Sequence, residues 1–377
     1  MSKRIHGFTR AALALVLAGG ALASHAAGWV VGQVAPMSGL AAKQGKAYAY
    51  GMRLYFDQVN KAGGVQGRPI ELTVADDGGR PEETVEKTRK LLSDAKPVVL
   101  AGYFGNQNLS ALLDSKLLDS AGTVLVGYHS TDTKVLNAPQ VFSTRAGLSE
   151  QMAKISSHLA ILGISRLALA YDERSDAEAL IALVNKAIAP SKAQLVQSAS
   201  LGSGRGRDMQ SAVEKLNASK AQALLVVSTS PATAAFVETY RLDGGLAQIY
   251  AMAEADVEQL AMRLPEQYLS GLSIAQVVPS PYKISMRLNK EFRDAVAGKN
   301  PEVPVGFTMM EGYVNAKLIV EAMRRSQPLT PEKFAQTLRG LQDYDMGGYW
   351  VSYRPGSQIG SGYVDLSIVN SAGRIMQ

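Results

Sequence analysis

Short apolar, β-branched segments alternate with longer amphipathic segments from residue 29 onward, and this alternation restricts the possible folds more than any other feature of the sequence. The predicted strands are Val30–Val34, Ile70–Ala75, Val98–Ala101 and Val124–Val126. The helical spacing of apolar residues between them predicts helices at Gly45–Ala62, Pro81–Ala95 and Leu109–Ser120. This order of elements favours right-handed βαβ units and a parallel sheet with helices on both faces.

The same alternation restarts after a further strand-like segment at Val141–Ser143. The predicted strands of this second part are Leu167–Ala170, Leu195–Ala199, Leu224–Val227 and Ile249–Met252. The predicted helices are Leu148–Leu162, Asp176–Ala189, Asp208–Asn217 and Pro231–Leu242. Each α/β part is about 100–130 residues long, which is an ordinary domain size, so we expect two domains.

The last hundred residues do not follow this alternation of strands and helices. A strand at Leu272–Val277 precedes two predicted helices, Ser285–Ala297 and Phe307–Arg325, and a third helix that starts at Pro331. Two further strands are predicted at Tyr349–Tyr353 and Tyr363–Val369. Isolated strands need a partner sheet, so we expect these late elements to complete the two earlier units rather than form a third domain.

The N-terminus predicts export. Lys3, Arg4 and Arg10 precede the apolar segment Ala11–Ala23, and Ser24-His25-Ala26 offers small residues at the two positions that a signal peptidase reads. This is the pattern of a cleaved secretory signal, and we place cleavage after Ala26. The apolar segment is shorter than the ~20 residues that a membrane-spanning helix needs. Because the chain has no cysteine, it also lacks the site of a lipoprotein anchor, and we expect a mature periplasmic protein without its own membrane anchor.

Composition argues against several other classes of function. The net charge is +6, of which Lys3, Arg4 and Arg10 supply three, so about +3 remains after residue 26. These charges form no dense basic block with an accompanying aromatic motif, and we expect no nucleic-acid partner. The absence of cysteine excludes disulfides, thiolate metal sites and cysteine nucleophiles.

Enzyme signatures are missing. His129 and His158 are the histidines beyond residue 26, and they form no HExxH motif, so we expect no metal centre. No G-x-S-x-G sequence occurs, which argues against an α/β-hydrolase. The glycine-rich segment 202–206 lacks the GK[ST] of a phosphate-binding P-loop, and the first strand leads into Ala35–Gly39 without G-x-G-x-x-G. We therefore expect no nucleotide cofactor and interpret 202–206 as a loop.

Long stretches of the sequence resemble one known family. The mature chain opens with WVVGQVAPMSGLAAKQGKAYAYGMRLYFDQVNKAGGVQGRPIELTVADD, and its tail contains MMEGYVNAKLIVEAMRR and GGYWVSYRPGSQIGSGYVDLSIVNSAGR. These segments resemble type I periplasmic binding proteins of the leucine/isoleucine/valine-binding class, in order along the whole mature chain. The resemblance implies an α/β fold of two Rossmann-like lobes with parallel-sheet cores and three hinge crossings. It implies a non-enzymatic role: substrate binding for an ABC importer, without a cofactor.

The resemblance also implies how the chain is divided. The expected first lobe is 28–144 plus 278–343, and the expected second lobe is 145–277 plus 344–377. The expected hinge crossings are Thr144–Gly147, Ala275–Val278 and Leu341–Met346. A ligand that bridges both lobes favours the closed form by its differential affinity. We expect a monomer whose closed form docks on a membrane permease.

The ligand site is expected beyond the carboxyl ends of the strands, where helix N-termini favour an anionic group. The loops at Ser38–Gln44, Gly105–Asn108, Tyr128–Asp132 and Asp172–Asp176 lie there and are rich in polar residues, although helix capping also explains such residues. By position in the family, Asn106, Gln107, Ser130 and Thr131 are expected to hold a ligand carboxylate, with Ser130 and Thr131 also near its ammonium. Glu254 is expected to pair with the ammonium; the alternative is a surface residue at a helix start.

Departures from the family's leucine binder bear on the ligand. That protein has an aromatic residue where this chain has Gln44, and a tyrosine where it has Asp176. It has a cysteine pair where this chain has Gly79 and Gly105, consistent with a lost disulfide. Unpaired polar groups facing an aliphatic side chain cost ~1–3 kcal/mol each. We therefore add Gln44 and Asp176 to the expected site and expect a polar or charged amino acid, or a related small solute.

Two other classes remain as alternatives. The chain could be a ligand-sensing periplasmic module that acts through a partner receptor, or a binder of a carboxylate or amide that is not an amino acid. Neighbouring genes distinguish import from sensing: permease and ATPase genes favour import, and a kinase or regulator gene favours sensing.

Overall fold

The computed structural model describes residues 27–202, 204, 206–370 and 375–376. The predicted signal peptide, 1–26, lies outside the described residues. The strands are β1 (Trp29–Ala35), β2 (Ile70–Asp76), β3 (Val99–Phe104), β4 (Leu125–His129), β5 (Val141–Phe142), β6 (Arg166–Tyr171), β7 (Gln194–Ser200), β8 (Ala223–Val227), β9 (Gln248–Ala251), β10 (Leu272–Gln276), β11 (Tyr344–Asp345), β12 (Trp350–Val351), β13 (Asp365–Val369) and β14 (Ile375–Met376).

Helices connect most of these strands. They are α1 (Ala42–Lys61), α2 (Pro81–Asp94), α3 (Asn106–Asp114), α4 (Leu117–Ser120), α5 (Thr133–Leu136), α6 (Leu148–Ile161), α7 (Ala177–Ile188), α8 (Gly206–Ala218), α9 (Ser230–Leu242), α10 (Val257–Arg263), α11 (Glu266–Leu269), α12 (Arg287–Val296), α13 (Phe307–Arg325) and α14 (Pro331–Arg339). Single 3₁₀ turns lie at Ala189–Ser191 and Ala253–Ala255.

Two separate sheets form the cores of the protein. The first sheet has the order β2-β1-β3-β4-β5, and all its strand pairs are parallel. The second has the order β14-β13-β10-β9-β8-β6-β7, parallel from β7 to β10. Strands β3, β4, β8 and β10 are buried along their whole length, as expected for parallel strands covered on both faces. The predicted α/β fold of two lobes with parallel-sheet cores is confirmed.

The last described strands return to the second sheet. Strand β13 pairs antiparallel with β10, with Ala275 opposite Leu366, and β14 pairs antiparallel with β13. The C-terminal segment therefore joins a sheet whose other strands, β6 (Arg166–Tyr171) to β10 (Leu272–Gln276), all lie much earlier in the sequence.

The predicted strand at Tyr349–Tyr353 has a different partner from the one expected. Its observed core, β12, pairs with β11 in a two-stranded hairpin. The hairpin packs on the first lobe: Lys317 of α13 donates a hydrogen bond to Met346 O at 2.9 Å, and Leu288 N of α12 donates to Gly347 O at 3.0 Å. The hairpin 344–351, which was expected in the second lobe, therefore pairs with itself and packs on α12 and α13, while the lobe boundaries stay a prediction.

Helix α13 is fixed in the first lobe by close contact with α1. Gly51 of α1 faces the backbone of Met309, and Gly312 of α13 faces the backbone of Tyr48, so a Cβ atom at either glycine would overlap a carbonyl group. Tyr48 and the α13 residues around Gly312 are buried. The two glycines let the helix backbones touch, which brings a segment from the end of the chain against the first sheet.

The chain segments that join the lobes lie side by side. The Tyr349 hydroxyl lies 2.8 Å from Thr144 O and 3.0 Å from Val277 O. Ser143 N donates to Gln358 O at 2.8 Å, and Gly360 N donates to Ser143 O at 2.9 Å. Residues in the segment 349–360 thus lie beside the first two expected crossings.

Candidate functional site

A cavity of about 450 Å³ lies where the carboxyl ends of the two parallel sheets face each other. The first lobe contributes the loops after β1, β3 and β4, and the second lobe contributes the loops after β8 and β9. In both sheets the strand order reverses next to these loops, between β1 and β3 and between β6 and β8. Such reversal points leave a crevice between neighbouring loops, where α/β proteins bind ligands.

The polar wall of the first lobe is built around Asn106. Asn106 begins α3, and its Oδ1 accepts hydrogen bonds from Ser130 Oγ at 2.8 Å and from Thr131 N at 2.9 Å. Thr131 Oγ1 in turn accepts from Asn106 Nδ2 at 3.3 Å and from Arg174 Nη1 at 3.2 Å. Because the Thr131 hydroxyl already accepts two bonds, its own hydrogen is left to be donated. Asn106, Ser130 and Thr131 all line the cavity.

The opposite wall carries a buried carboxylate, Glu254. It lies in the 3₁₀ turn after β9, and its side chain is 10% exposed. Glu254 Oε1 accepts a hydrogen bond from Arg145 Nη2 at 2.7 Å. Its Oε2 atom is buried and has no hydrogen-bond partner among the described residues. The carboxylate therefore keeps one oxygen for a donor that enters the cavity.

Arg145 connects Glu254 to a second buried carboxylate in the other lobe. Arg145 Nη1 lies 3.3 Å from Glu311 Oε2 of α13, and that oxygen lies 3.1 Å from His129 Nε2. All four side chains are at least nine-tenths buried. Arg145 lies in the first of the segments expected to be a hinge, so this charge network links Glu254 at the cavity to Glu311 and His129 of the first lobe.

Mutual attraction keeps Glu311 and Arg145 charged in spite of burial. Burial alone would raise the pKa of Glu311, but Arg145 and His129 outweigh burial and hold the pKa below its ordinary range. Burial alone would lower the pKa of Arg145, but Glu254 and Glu311 raise it above its ordinary value. Two carboxylates share one guanidinium, so this part of the cavity favours a positive group.

The second lobe also contributes hydroxyl groups at the start of α9. Ser228, Thr229 and Ser230 line the cavity, and Pro231 occupies the first turn of the helix. Ser228 is 2% exposed and Ser230 is 1% exposed. Neither hydroxyl has a hydrogen-bond partner among the described residues.

The cavity also has apolar lining residues. Leu40, Ala41 and Phe104 from the first lobe line the cavity, as does Pro231 from the second. The Phe104 ring stacks on His129 with 4.3 Å between ring centroids. The cavity thus combines a few polar groups with apolar surface, as in typical small-molecule sites.

Five of the seven residues predicted from the sequence lie at the cavity: Gln44, Asn106, Ser130, Thr131 and Glu254. Gln44 is buried and reaches across the lobes, with its Nε2 atom 3.4 Å from Glu254 O. Gln107 and Asp176 are not among the lining residues. Gln107 is exposed because it follows Asn106 on a helix, where successive side chains point about 100° apart. Asn108, which the prediction omitted, lines the cavity and is buried.

Asp176 makes an interlobe contact instead. Its Oδ2 atom accepts hydrogen bonds from Thr133 N at 2.9 Å and from Thr133 Oγ1 at 2.7 Å. Arg174, whose side chain is buried, is ion-paired with Asp176 and donates to Thr131 O at 2.7 Å. Burial opposes ionisation of Asp176, but Arg174 and Thr133 hold its pKa well below the ordinary value. We call Arg174, Asp176, Thr131 and Thr133 the interlobe clamp.

Sequence reasoning missed Arg145, Glu311 and the serines at the start of α9. Arg145 was noticed only as part of a hinge segment, and Glu311 was one acid in an amphipathic helix. The available signal for Arg145 was that a charged residue lies within a predicted hinge crossing. The position of Ser228 directly after a fully buried strand was the corresponding signal for α9.

The described part of the chain contains no cluster of three or more histidine and acidic side chains arranged to hold a metal ion. Within the same residues, no helix is both long enough and apolar enough for a membrane crossing.

Two lobes that face each other across a polar cavity define the hinged solute-binding proteins, and comparison with known proteins gives the family. A family model described as periplasmic binding protein matches residues 28–369. The chain therefore belongs to the periplasmic binding protein family, and its relatives place it in the type I, leucine/isoleucine/valine-binding-like group.

Similar proteins extend over nearly the whole chain. An amino acid binding protein from Pseudomonas aeruginosa is 24% identical over 367 residues, which are 92% of this chain and 94% of that protein. A leucine-, isoleucine-, valine-, threonine- and alanine-binding protein from the same organism is 21% identical and covers 90% of each chain. A substrate-binding periplasmic protein from Ralstonia solanacearum has a solved structure with a TM-score of 0.83 and 32% identity, covering 93% of this chain and 99% of that chain.

Proposed function

We propose that this protein is the periplasmic substrate-binding component of an ABC importer and captures an amino acid, or a similar small polar solute, by closing its two lobes. The observation that carries the proposal is the pairing, across one cavity, of the Asn106–Ser130–Thr131 wall with the half-satisfied carboxylate of Glu254. An α-amino acid offers the two groups that this arrangement needs, a carboxylate and an ammonium. The curated relatives named as amino-acid binders support the same class of solute.

The solute carboxylate is placed against the first lobe. The Thr131 hydroxyl has a hydrogen to donate, and the N-terminus of α3 starts at Asn106. Unsatisfied N–H groups and the helix dipole favour a negative charge there. Gln44 lies in the same cavity and can add an amide donor.

The solute ammonium is placed at Glu254. Its Oε2 atom accepts the ammonium while Oε1 stays bonded to Arg145. A buried charge pair of this kind is sensitive to loss of one partner, which typically costs about 3–5 kcal/mol. The amino group is thus the feature that separates this solute from a simple carboxylic acid.

Hinge closure follows from a site that needs both lobes. We propose lobes at 28–144 plus 278–351 and at 145–277 plus 361–377, with the connecting segments 143–147, 275–278 and 352–360 as hinges. A solute that binds both walls shifts the population toward the closed form by its differential affinity. We propose that the closed monomer then docks on a membrane permease and performs no catalysis.

Export precedes this function. We propose that the segment 1–26 directs the chain to the periplasm and is removed after Ala26, which leaves the binding protein without its own membrane anchor.

A thermal-shift screen of the mature protein tests the proposal. The screen contains the twenty amino acids, their deaminated and decarboxylated analogues, and small amides. A ligand that binds the native state raises the melting temperature by mass action, by several degrees when its concentration is about a hundred times Kd. We expect at least one amino acid to stabilise the protein and its deaminated analogue to stabilise it less. Stabilisation by carboxylic acids or amides alone contradicts the amino-acid assignment.

A further inference from the structure

We infer that the start of α9, with the hydroxyls of Ser228 and Ser230, is a second polar subsite that binds an oxygen acceptor at the end of the solute's side chain. The inference rests on the proposed function and narrows it. The protein would select amino acids whose side chains end in a carboxylate or an amide, rather than aliphatic or cationic ones.

The first observation is the state of the two hydroxyls. Ser228 and Ser230 are almost completely buried, line the cavity and lack hydrogen-bond partners among the described residues. Buried hydroxyls in folded proteins are generally hydrogen-bonded, so two neighbouring exceptions that face one cavity indicate a ligand group. Thr229 lies between them in the same lining.

The second observation is the helix that begins there. Helix α9 has 13 residues, and no acidic residue lies in its first turn. The Thr229 side chain makes no capping hydrogen bond. The positive end of the helix dipole therefore faces the cavity without a capping side chain, which favours an acceptor oxygen and disfavours a cation.

The third observation is the distribution of charge and apolar surface. Glu254 is the carboxylate among the described residues that line the cavity, and it belongs to the proposed ammonium position. Leu40, Phe104 and Pro231 line the same cavity with apolar surface. A solute with a short aliphatic chain between its amino-acid group and a terminal oxygen matches this combination of polar and apolar groups. An aliphatic solute would fill the same space but leave the serine hydroxyls unpaired.

Calorimetric titrations with matched solutes test the inference. L-glutamate and L-glutamine carry a terminal acceptor, L-norleucine has a similar aliphatic length without one, and L-lysine ends in a cation. The proteins are the wild type, Ser228→Ala, Ser230→Ala and the double variant. Ser149→Ala, an exposed serine on α6 away from the cavity, is the control.

We expect glutamate or glutamine to bind the wild type at least about tenfold more tightly than norleucine, because unpaired buried hydroxyls disfavour the aliphatic solute. The double variant should lose most of this difference while norleucine binds it no more weakly. Equal affinities of the wild type for norleucine and for both acceptor-ended solutes would overturn the inference. Equal weakening of all solutes by the serine variants would also overturn it.

The same experiment separates this inference from the proposed function. If norleucine or lysine binds best, an amino-acid site exists and only the acceptor subsite is wrong. If no amino acid binds the wild type, both the proposed function and the inference fail. Wild-type titrations alone give these answers, so the test does not depend on the folding of the variants.

Discussion

The guanidinium of Arg145 is held between two carboxylates beside the cavity. It contacts Glu254 from the second lobe and Glu311 from the first, and all three side chains are buried. A buried ion network stabilises a protein less than its Coulomb energy suggests, because each charge is desolvated. The network instead orients the site: Arg145 binds Oε1 of Glu254, and we propose that Oε2 binds the solute.

Glu254→Gln should weaken amino-acid binding. The amide keeps the size of the side chain but removes the negative charge that pairs with the ammonium. We expect affinity to fall at least about tenfold, that is by 1.4 kcal/mol or more. Calorimetric titration measures the change, with the exposed Glu266→Gln as control. Unchanged affinity in Glu254→Gln would remove Glu254 from the site.

Arg145→Met should destabilise the folded protein itself. The substitution leaves Glu254 and Glu311 buried without their cation, and breaking a buried pair in this way typically costs about 3–5 kcal/mol. Urea denaturation measures the free energy of unfolding, and Arg89→Met on the exposed surface of α2 is the matched control. A loss below about 1 kcal/mol would mean that the network is not formed in solution.

The free energy of unfolding should depend on pH through the buried carboxyl group of Asp172. Burial raises its pKa to about 6, although Arg174 opposes the rise, and its Oδ1 atom is enclosed without a hydrogen-bond partner among the described residues. Between the ordinary value of 3.8 and about 6, the folded chain binds a proton that the unfolded chain lacks. This side chain therefore makes the protein less stable as pH rises through that window.

Asp172→Asn removes this titration. Because the amide is neutral in both states, the variant should be more stable than the wild type by about 1–3 kcal/mol near pH 7.5, and the difference should vanish near pH 3.5. Urea denaturation at several pH values measures it. A stability difference between variant and wild type that does not change with pH would show that the pKa of Asp172 is not raised.

Among the elements, the loop between β6 and α7 contacts the loop between β4 and α5 in the other lobe. Arg174 and Asp176 of the second lobe bind the backbone and hydroxyl of Thr133 and the carbonyl of Thr131 in the first lobe. Thr131 also lines the cavity. The interlobe clamp holds the two lobes together through their own residues, and we propose that solute binding adds to this contact.

Arg174→Ala should weaken solute binding without removing a group that lines the cavity. Loss of the clamp shifts the population toward the open form, and apparent affinity falls by the same factor as the closed population, here about tenfold. Small-angle scattering of the solute-free protein should show a larger radius of gyration. Arg89→Ala is the control, and a compact variant with unchanged affinity would show that the clamp does not govern closure.

The sequence predicted most long strands and helices closely and missed the short elements, for physical reasons. Buried parallel strands are short apolar segments, and most predicted strands agree with the observed ones to within two or three residues. The predicted helix Leu109–Ser120 is instead two helices, separated at Lys116, which adopts a left-handed conformation with φ of 57°. The short helices α5, α10 and α11 were not predicted, because four to seven residues are too few to show a helical period.

At the scale of the whole molecule, the two-lobed fold could be predicted because the βαβ alternation occurs twice and ends in a tail with too few strands for a domain. The cavity residues of the first lobe could be predicted from their loops. The charge network around Glu254 could not, since Arg145 lies 109 residues from Glu254 and 166 residues from Glu311 in the sequence. Tertiary packing, which a single sequence does not display, sets that distance.

We propose that an amino-acid solute binds between the lobes and holds them together. A crystal structure of the mature protein with the solute that stabilises it most tests this proposal. We expect the solute in the cavity, with its ammonium within hydrogen-bond distance of Glu254 and its carboxylate at Thr131 and the start of α3. A solute bound on one lobe alone, or outside the cavity, would contradict the account.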